Sequence, residues 1–174
     1  EDATFQKIAD KCGITRTTLY IYFKNKHEIF LGSIKQLLGE MEQSIIAVTV
    51  DESLSAEQQL RSIVDVLIEG CMENAKLFHV LLSYLIQLKK TGVDPKERVS
   101  RRVIRVRHLL NKVLIKGIKN KEFKDISVAD MNQLLYTLIE TAVFKIAVYY
   151  QEDITEVRES LNLAIDGFLA RKTC

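Results

Sequence analysis

Turn-forming residues are nearly absent from this chain. Its 174 residues include seven glycines and one proline, Pro95, and a chain so poor in them has few places for the tight reversals that hairpins need. Helical periodicity fills the space between them. Phe5, Ile8, Ala9 and Cys12 fall at i, i+3, i+4 and i+7 behind a Thr4 cap, and Gly13 stops that helix as a residue that takes positive φ without strain. Thr15 then caps a short helix carrying Leu19 and Phe23. Asn25 with Glu28 forms a capping-box pattern for a long helix to about residue 48, with Ile29, Phe30, Ile34, Leu37, Leu38, Met41 and Ile45 inward.

The same signals continue along the chain. Ser55 with Gln58 opens a helix to Glu73, and Asn74 separates it from one over residues 75–90. Asp94 and Pro95 supply an N-cap and a first-position proline for a helix to about Asn120, with Val99, Val103, Val106, Leu110, Val113 and Gly117 as its seam. Ser127 begins a helix to Tyr150, and Thr155 begins the last, to about Arg171. The expected fold is all-α, about eight helices, with a change of character near residue 46.

Hydrophobic residues at 47% and charged residues at 28% fit an ordinary globular chain, and a net charge of +2 says little about partners. Cys12, Cys71 and Cys174 are odd in number and far apart, which suggests neither a disulfide framework nor a metal site. A reducing cytoplasm is the expected location. The apolar stretches LFHVLLSYLIQL (77–88) and LLYTLIETAVFKIAVYY (134–150) are too short, or interrupted by Glu140 and Lys145, for membrane spans. No nucleophile elbow, paired-carboxylate motif, phosphate-cradling glycine loop or metal-ligand spacing is present, so neither catalysis nor a cofactor is expected.

Residues 15–26 read TRTTLYIYFKNK. Five large side chains run consecutively from Leu19 to Phe23, more than one apolar stripe of a helix can turn inward. At 100° per residue, Leu19 and Phe23 cluster on one side, Thr17 and Ile21 lie nearly opposite, and Tyr20 and Tyr22 flank them. Two short helices joined by a glycine-containing turn form a helix-turn-helix pattern, whose second helix enters the DNA major groove. In that setting Ile21 meets thymine methyl groups, Thr17 and Thr18 allow close approach, and Arg16 reaches a guanine edge or a phosphate. Tyr20 and Tyr22 offer hydroxyls to phosphates, and Lys26 adds charge where a helix starts.

The run ATFQKIADKCGITRTTLYIYFKNKHEIF resembles the DNA-binding segment of the tetracycline-repressor (TetR) family of bacterial transcription regulators, through IAxxxGI, a threonine opening the second helix, LYxxF and the following lysine. The resemblance implies a DNA-binding domain with its connecting helix over residues 1–46 and a helical ligand-binding and dimerisation domain over 47–174. It also implies that a small molecule releases a homodimeric repressor from its operator. The family's DNA contacts fall on Thr4, Thr15, Arg16, Thr17, Thr18, Tyr20, Ile21, Tyr22 and Lys26. Position 22 is often His in the family. A further helix normally precedes the one at Thr4, so residues upstream of Glu1 are expected.

Family-like pairing through helices 127–150 and 155–171 makes Leu134, Leu135, Leu138, Ala142, Ile146, Leu161, Ala164, Ile165 and Phe168 candidate interface positions. A ligand pocket among the middle helices draws on Cys71, Met72, Phe78, His79, Tyr84, Gln87, Tyr136, Glu140 and Phe144. Glu140 stands out because a buried carboxylate needs a partner. The competing reading is a helix-turn-helix protein-interaction module that does not read DNA.

Overall fold

The computed structural model describes residues 4–90, 92 and 94–170, with the backbone alone over 95–100. Eight helices occupy the described residues: α1 (Phe5–Cys12), α2 (Arg16–Tyr22), α3 (Lys26–Val50), α4 (Ala56–Glu73), α5 (Ala75–Lys90), α6 (Pro95–Lys119), α7 (Val128–Tyr149) and α8 (Thr155–Phe168). The chain divides into two compact units, Glu1–Glu40 and Met41–Cys174, and the division falls inside α3.

In the first unit, local chemistry sets every helix end. Thr4 Oγ accepts the Lys7 N–H at 3.2 Å, and Gly13, at φ 67°, turns the chain out of α1. Thr15 Oγ accepts the Thr18 N–H at 3.0 Å and starts α2 two residues after Gly13. The expected capping box at Asn25 is displaced by one residue. Asn25 accepts the Glu28 N–H at 3.0 Å, but the Glu28 carboxylate reaches the Lys24 N–H at 2.8 Å instead of that of Asn25.

Two expectations change here. Phe23 is not helical: it caps α2 in an extended conformation, φ −135° and ψ 128°, and its ring lies where a side chain on Gly32 would touch it. Cys12 is exposed, not inward. It is the last residue of α1, next to the turn at Gly13, and Ala9 and the half-buried Ile8 carry the inner face.

In the second unit, α4 packs against α5, α6, α7 and α8, and α7 packs against α5, α6 and α8. Leu60, Ile63, Ile68, Leu110, Leu114, Met131, Leu135, Leu161 and Ile165 fill the space between them. Each such side chain contributes about 1.5–3 kcal/mol by leaving water. Ser55 and Gln58 form a reciprocal capping box for α4, and Asn74 both ends α4 and accepts the Leu77 and Phe78 N–H groups that begin α5. Of the expected α6 seam, Leu110, Val113 and Gly117 are buried and Val103 and Val106 half-buried; the side chain of Val99 lies outside the described residues.

Antiparallel α4 and α8 are joined by two arginines. Arg61 bonds Glu57 on its own helix and Asn162 and Asp166 on α8, while Arg158 on α8 reaches Asp65 at 2.6 Å and Glu69 at 3.3 Å. The last helix begins at Thr155, as expected, and departs from expectation at its end. Ile154 is its N-cap residue and offers no side-chain bond, and the Asp153 carboxylate just before it accepts the Thr155 N–H at 2.9 Å. It stops at Phe168 because the next residues leave to pair with residues 122–124: Phe123 and Leu169 form an antiparallel bridge, Lys124 N–H donates to the Phe168 carbonyl at 2.8 Å, and Ala170 N–H donates to the Glu122 carbonyl at 2.8 Å. The expected end at Arg171 lies outside the described residues.

Most of the candidate interface positions prove to be protomer core. Leu135, Ala142, Ile146, Leu161, Ile165 and Phe168 are buried within the unit, and Leu138 and Ala164 are half-buried. An inward stripe and an interface stripe share the same spacing, and here the inward one holds these residues. Leu134 stays outside, with Phe144 on α7 and Leu163 on α8.

Candidate nucleic-acid interface

Helix α2 presents two different surfaces. Leu19 is buried, fixing the helix to its unit, while Ile21 and Tyr22 are 74% and 73% exposed. Thr17 and Arg16 lie on the same open side. An isoleucine this exposed gains nothing from water, and it stands among groups that suit base edges: a small hydroxyl at Thr17, a phenol at Tyr22 and a guanidinium at Arg16. Lys24 and Lys26 are exposed just beyond the helix, with no acid between Arg16 and Lys26.

The structure brings some of these residues into direct contact. Arg16 Nη2 donates to Tyr20 Oη at 3.1 Å, one helical turn away, and the guanidinium carbon stands 5.4 Å from the Tyr20 ring centre. The same ring stacks on Phe5, with centroids 4.4 Å apart and planes 14° from parallel. Tyr20 is consequently less open than its neighbours, at 47%. Thr15 and Thr18 share a hydrogen bond of 2.8 Å between their hydroxyls, so their side chains are engaged at the helix start. Thr4 is exposed at the start of α1, beside Phe5. The periodicity that put Phe5 on an inner face gave no sign of its stacking role.

A family model described as "Bacterial regulatory proteins, tetR family" matches residues 1–32, the segment just described. Residues 1–32 are thus similar to the DNA-binding segment of TetR-family regulators. A fatty acid metabolism regulator protein of Bacillus subtilis (strain 168) is 22% identical over 142 residues, which span 79% of this chain and 69% of that protein. A TetR transcription regulator from Haloarcula marismortui superposes with a TM-score of 0.77 at 23% identity, covering 97% of this chain and 88% of that one. A fatty acid degradation regulator from Bacillus halodurans gives 0.68 at 20% identity, over 97% and 90%. At such identities the likeness is one of fold.

The residues expected around a ligand have mixed settings. Cys71 and Phe78 are buried, Met72, His79, Tyr84 and Tyr136 half-buried, and Gln87, Glu140 and Phe144 exposed. His79 is satisfied within the fold, donating from Nδ1 to the Ala147 carbonyl at 2.9 Å beside the Tyr150 ring. Glu140 is not the buried carboxylate that made it stand out, because its helix position turns it outward, where it accepts from Tyr136. Burial first, then the charge and hydrogen bond of Glu140, push the Tyr136 phenol up to about 12.

Tyr136 also belongs to a polar cluster between α6 and α7 that sequence reasoning missed. The Arg107 guanidinium lies over its ring at 5.0 Å while Nε donates to Asn132 Oδ1 and Nη2 to Gln133 Oε1, each at 2.9 Å. Asn132, itself buried, returns its amide to the Arg107 carbonyl at 2.8 Å and to Asn111 at 2.7 Å. One signal was available: Asn132 lies on the apolar stripe of α7 beside Met131 and Leu135. A second polar contact joins α3 to α6, where the buried Glu42 carboxylate accepts from Arg105 at 3.0 Å and Arg102 at 3.4 Å.

Proposed function

We propose that this chain is a DNA-binding transcriptional regulator that reads an operator through α2 and is released from it when its helical unit binds a small molecule. The observation that carries the reading is the divided surface of α2, with Leu19 buried and Ile21 and Tyr22 open beside Arg16 and Thr17. On this reading Arg16, Thr17 and Ile21 meet base edges with Tyr20 beside Arg16, Tyr22 and Lys26 meet the backbone, and Thr4, Thr15 and Thr18 lie at the two helix starts that approach it. One such helix covers a single half-site, so the regulator acts as a homodimer whose recognition helices lie about 34–36 Å apart. The exposed Leu134, Phe144 and Leu163 on α7 and α8 support pairing through those helices.

The related regulators of fatty acid metabolism and degradation support an effector of the fatty-acyl class, taken up among α4, α5 and α7, near Cys71, Met72, Phe78 and Tyr84. The cytoplasm is its place of action. The test is selection of a preferred site from a random double-stranded DNA pool with the full chain, followed by titration of the complex with fatty acids and their thioesters of graded length. An enriched palindromic site released by one chain-length class supports the proposal. Enrichment without release by any of them removes the effector assignment, and no enrichment removes the DNA reading.

A further inference from the structure

The three side chains Phe5, Tyr20 and Arg16 form one stack that begins on α1 and ends on the open face of α2. Phe5 is the first residue of α1, where Thr4 caps the helix, so its backbone position is fixed. Its ring stacks on that of Tyr20 with centroids 4.4 Å apart, and Arg16 is held against the same tyrosine through its hydroxyl at 3.1 Å and over its ring at 5.4 Å. Only one guanidinium donor is spent on this contact, which leaves the other donors for a base edge or a phosphate.

A free arginine surrenders considerable rotamer freedom when it locks onto a base, and a contact that already orients the guanidinium removes part of that cost before DNA arrives. We propose that Phe5 and Tyr20 are positioning residues for Arg16, so that base discrimination on α2 depends on an aromatic residue of α1. Phe5 acts through Tyr20: its ring keeps the tyrosine from swinging away, and the tyrosine hydroxyl sets the plane of the fork. This rests on the DNA reading given above. It differs from a role for Tyr20 as a phosphate ligand, in which the hydroxyl adds affinity evenly over all sequences.

The test uses the full chain, its best site from a random double-stranded pool, and all single-base variants of that site, with affinities read by fluorescence anisotropy over a salt series. Arg16→Ala first identifies the base pair whose discrimination the arginine carries. Tyr20→Phe and Phe5→Leu are each expected to lower discrimination at that base pair about fivefold or more, within the range one arginine fork supplies, while the salt slope and the affinity for unrelated DNA stay as in the wild type. Phe5→Tyr, which keeps the ring, is expected to keep the discrimination, and thermal unfolding of each variant reports any loss of folding separately. The positioning role is overturned if Tyr20→Phe leaves discrimination intact, or if it weakens all sequences alike. If Arg16→Ala changes discrimination at no position, the DNA reading itself has failed and the positioning role fails with it.

Discussion

Lys116 and Gln59 meet beneath the end of α3, where Lys116 Nζ donates to Gln59 Oε1 at 3.0 Å and the Gln59 amide turns its nitrogen onto the carbonyls of Val48, Thr49 and Asp51 at 3.0, 3.2 and 2.7 Å. The last carbonyls of a helix lack intrahelical partners, and a buried one is costly to leave unmade. Gln59, 1% exposed, satisfies them from α4, and the lysine adds positive charge where the α3 dipole is negative. Gln59→Leu removes the donor and one of the two acceptors of Lys116 Nζ, leaving it the Leu54 carbonyl at 3.1 Å. It should destabilise the protein by about 2–3 kcal/mol in urea unfolding, whereas Lys116→Met should cost about 1 kcal/mol because water reaches that half-buried site.

Gly117 marks a place where α6 has no room for a methyl group. A Cβ there would stand 2.1 Å from the Phe123 ring, which is itself buried. Gly117→Ala should therefore destabilise the protein by about 1–3 kcal/mol despite the better helix propensity of alanine. Phe123→Leu in the same chain should return part of that loss, giving a non-additive cycle in chemical unfolding. Gly70→Ala provides the control. The added methyl meets Met41, at 2.9 Å from its terminal carbon, and a flexible thioether moves aside, so stability should change by less than about 1 kcal/mol.

The two characterised cysteines should differ sharply in reactivity. Burial pushes the Cys71 thiol up to about 12, and Cys12 is exposed. Iodoacetamide at pH 8 should label Cys12 in the native protein and reach Cys71 only after unfolding, as read by peptide mass spectrometry. Labelling of both at equal rates would contradict the buried position of Cys71.

Those same groups give an alkaline limit to stability. Cys71 is raised from 9.0 and Tyr136 from 10.0, each to about 12, so the folded state keeps its protons where the unfolded state loses them. Their contribution is complete below about pH 9 and is lost progressively as pH rises to about 12. The melting temperature should fall over that window, and Tyr136→Phe should fall less steeply than the wild type.

Sequence reached the helices more reliably than the surfaces. Caps are local, so Ser55 with Gln58, Asn74, Ser127 and the Gly13 turn placed their helix limits within a residue. The end of α8 was not legible, since Leu169 leaves the helix for a distant partner, Phe123. Spacing also told Leu19 from Ile21 on α2, because only one stripe of a short helix faces its own unit. On α7 and α8 the same spacing served core and interface alike, so it did not tell that Leu135 and Ile165, candidates for the interface, are core. Polar staples such as Gln59 and Asn132 escaped notice because their partners come from other helices.

Leu163 offers a direct probe of pairing. It is 74% exposed on α8, on a face separate from the one that carries Arg158, Asn162 and Asp166 toward α4. Leu163→Arg should leave the helical content unchanged and shift the particle from dimer to monomer by light scattering at micromolar concentration. An unchanged dimer would move the interface away from this face of α8.

The central claim is that α2 reads DNA, and the most direct measurement compares the wild type with Arg16→Ala on the selected site and on unrelated DNA at one fixed salt concentration. A loss of about 10- to 100-fold is expected on the selected site, from one arginine fork in each half-site, with a far smaller change on unrelated DNA. Equal affinity of the two proteins for the selected site would contradict it.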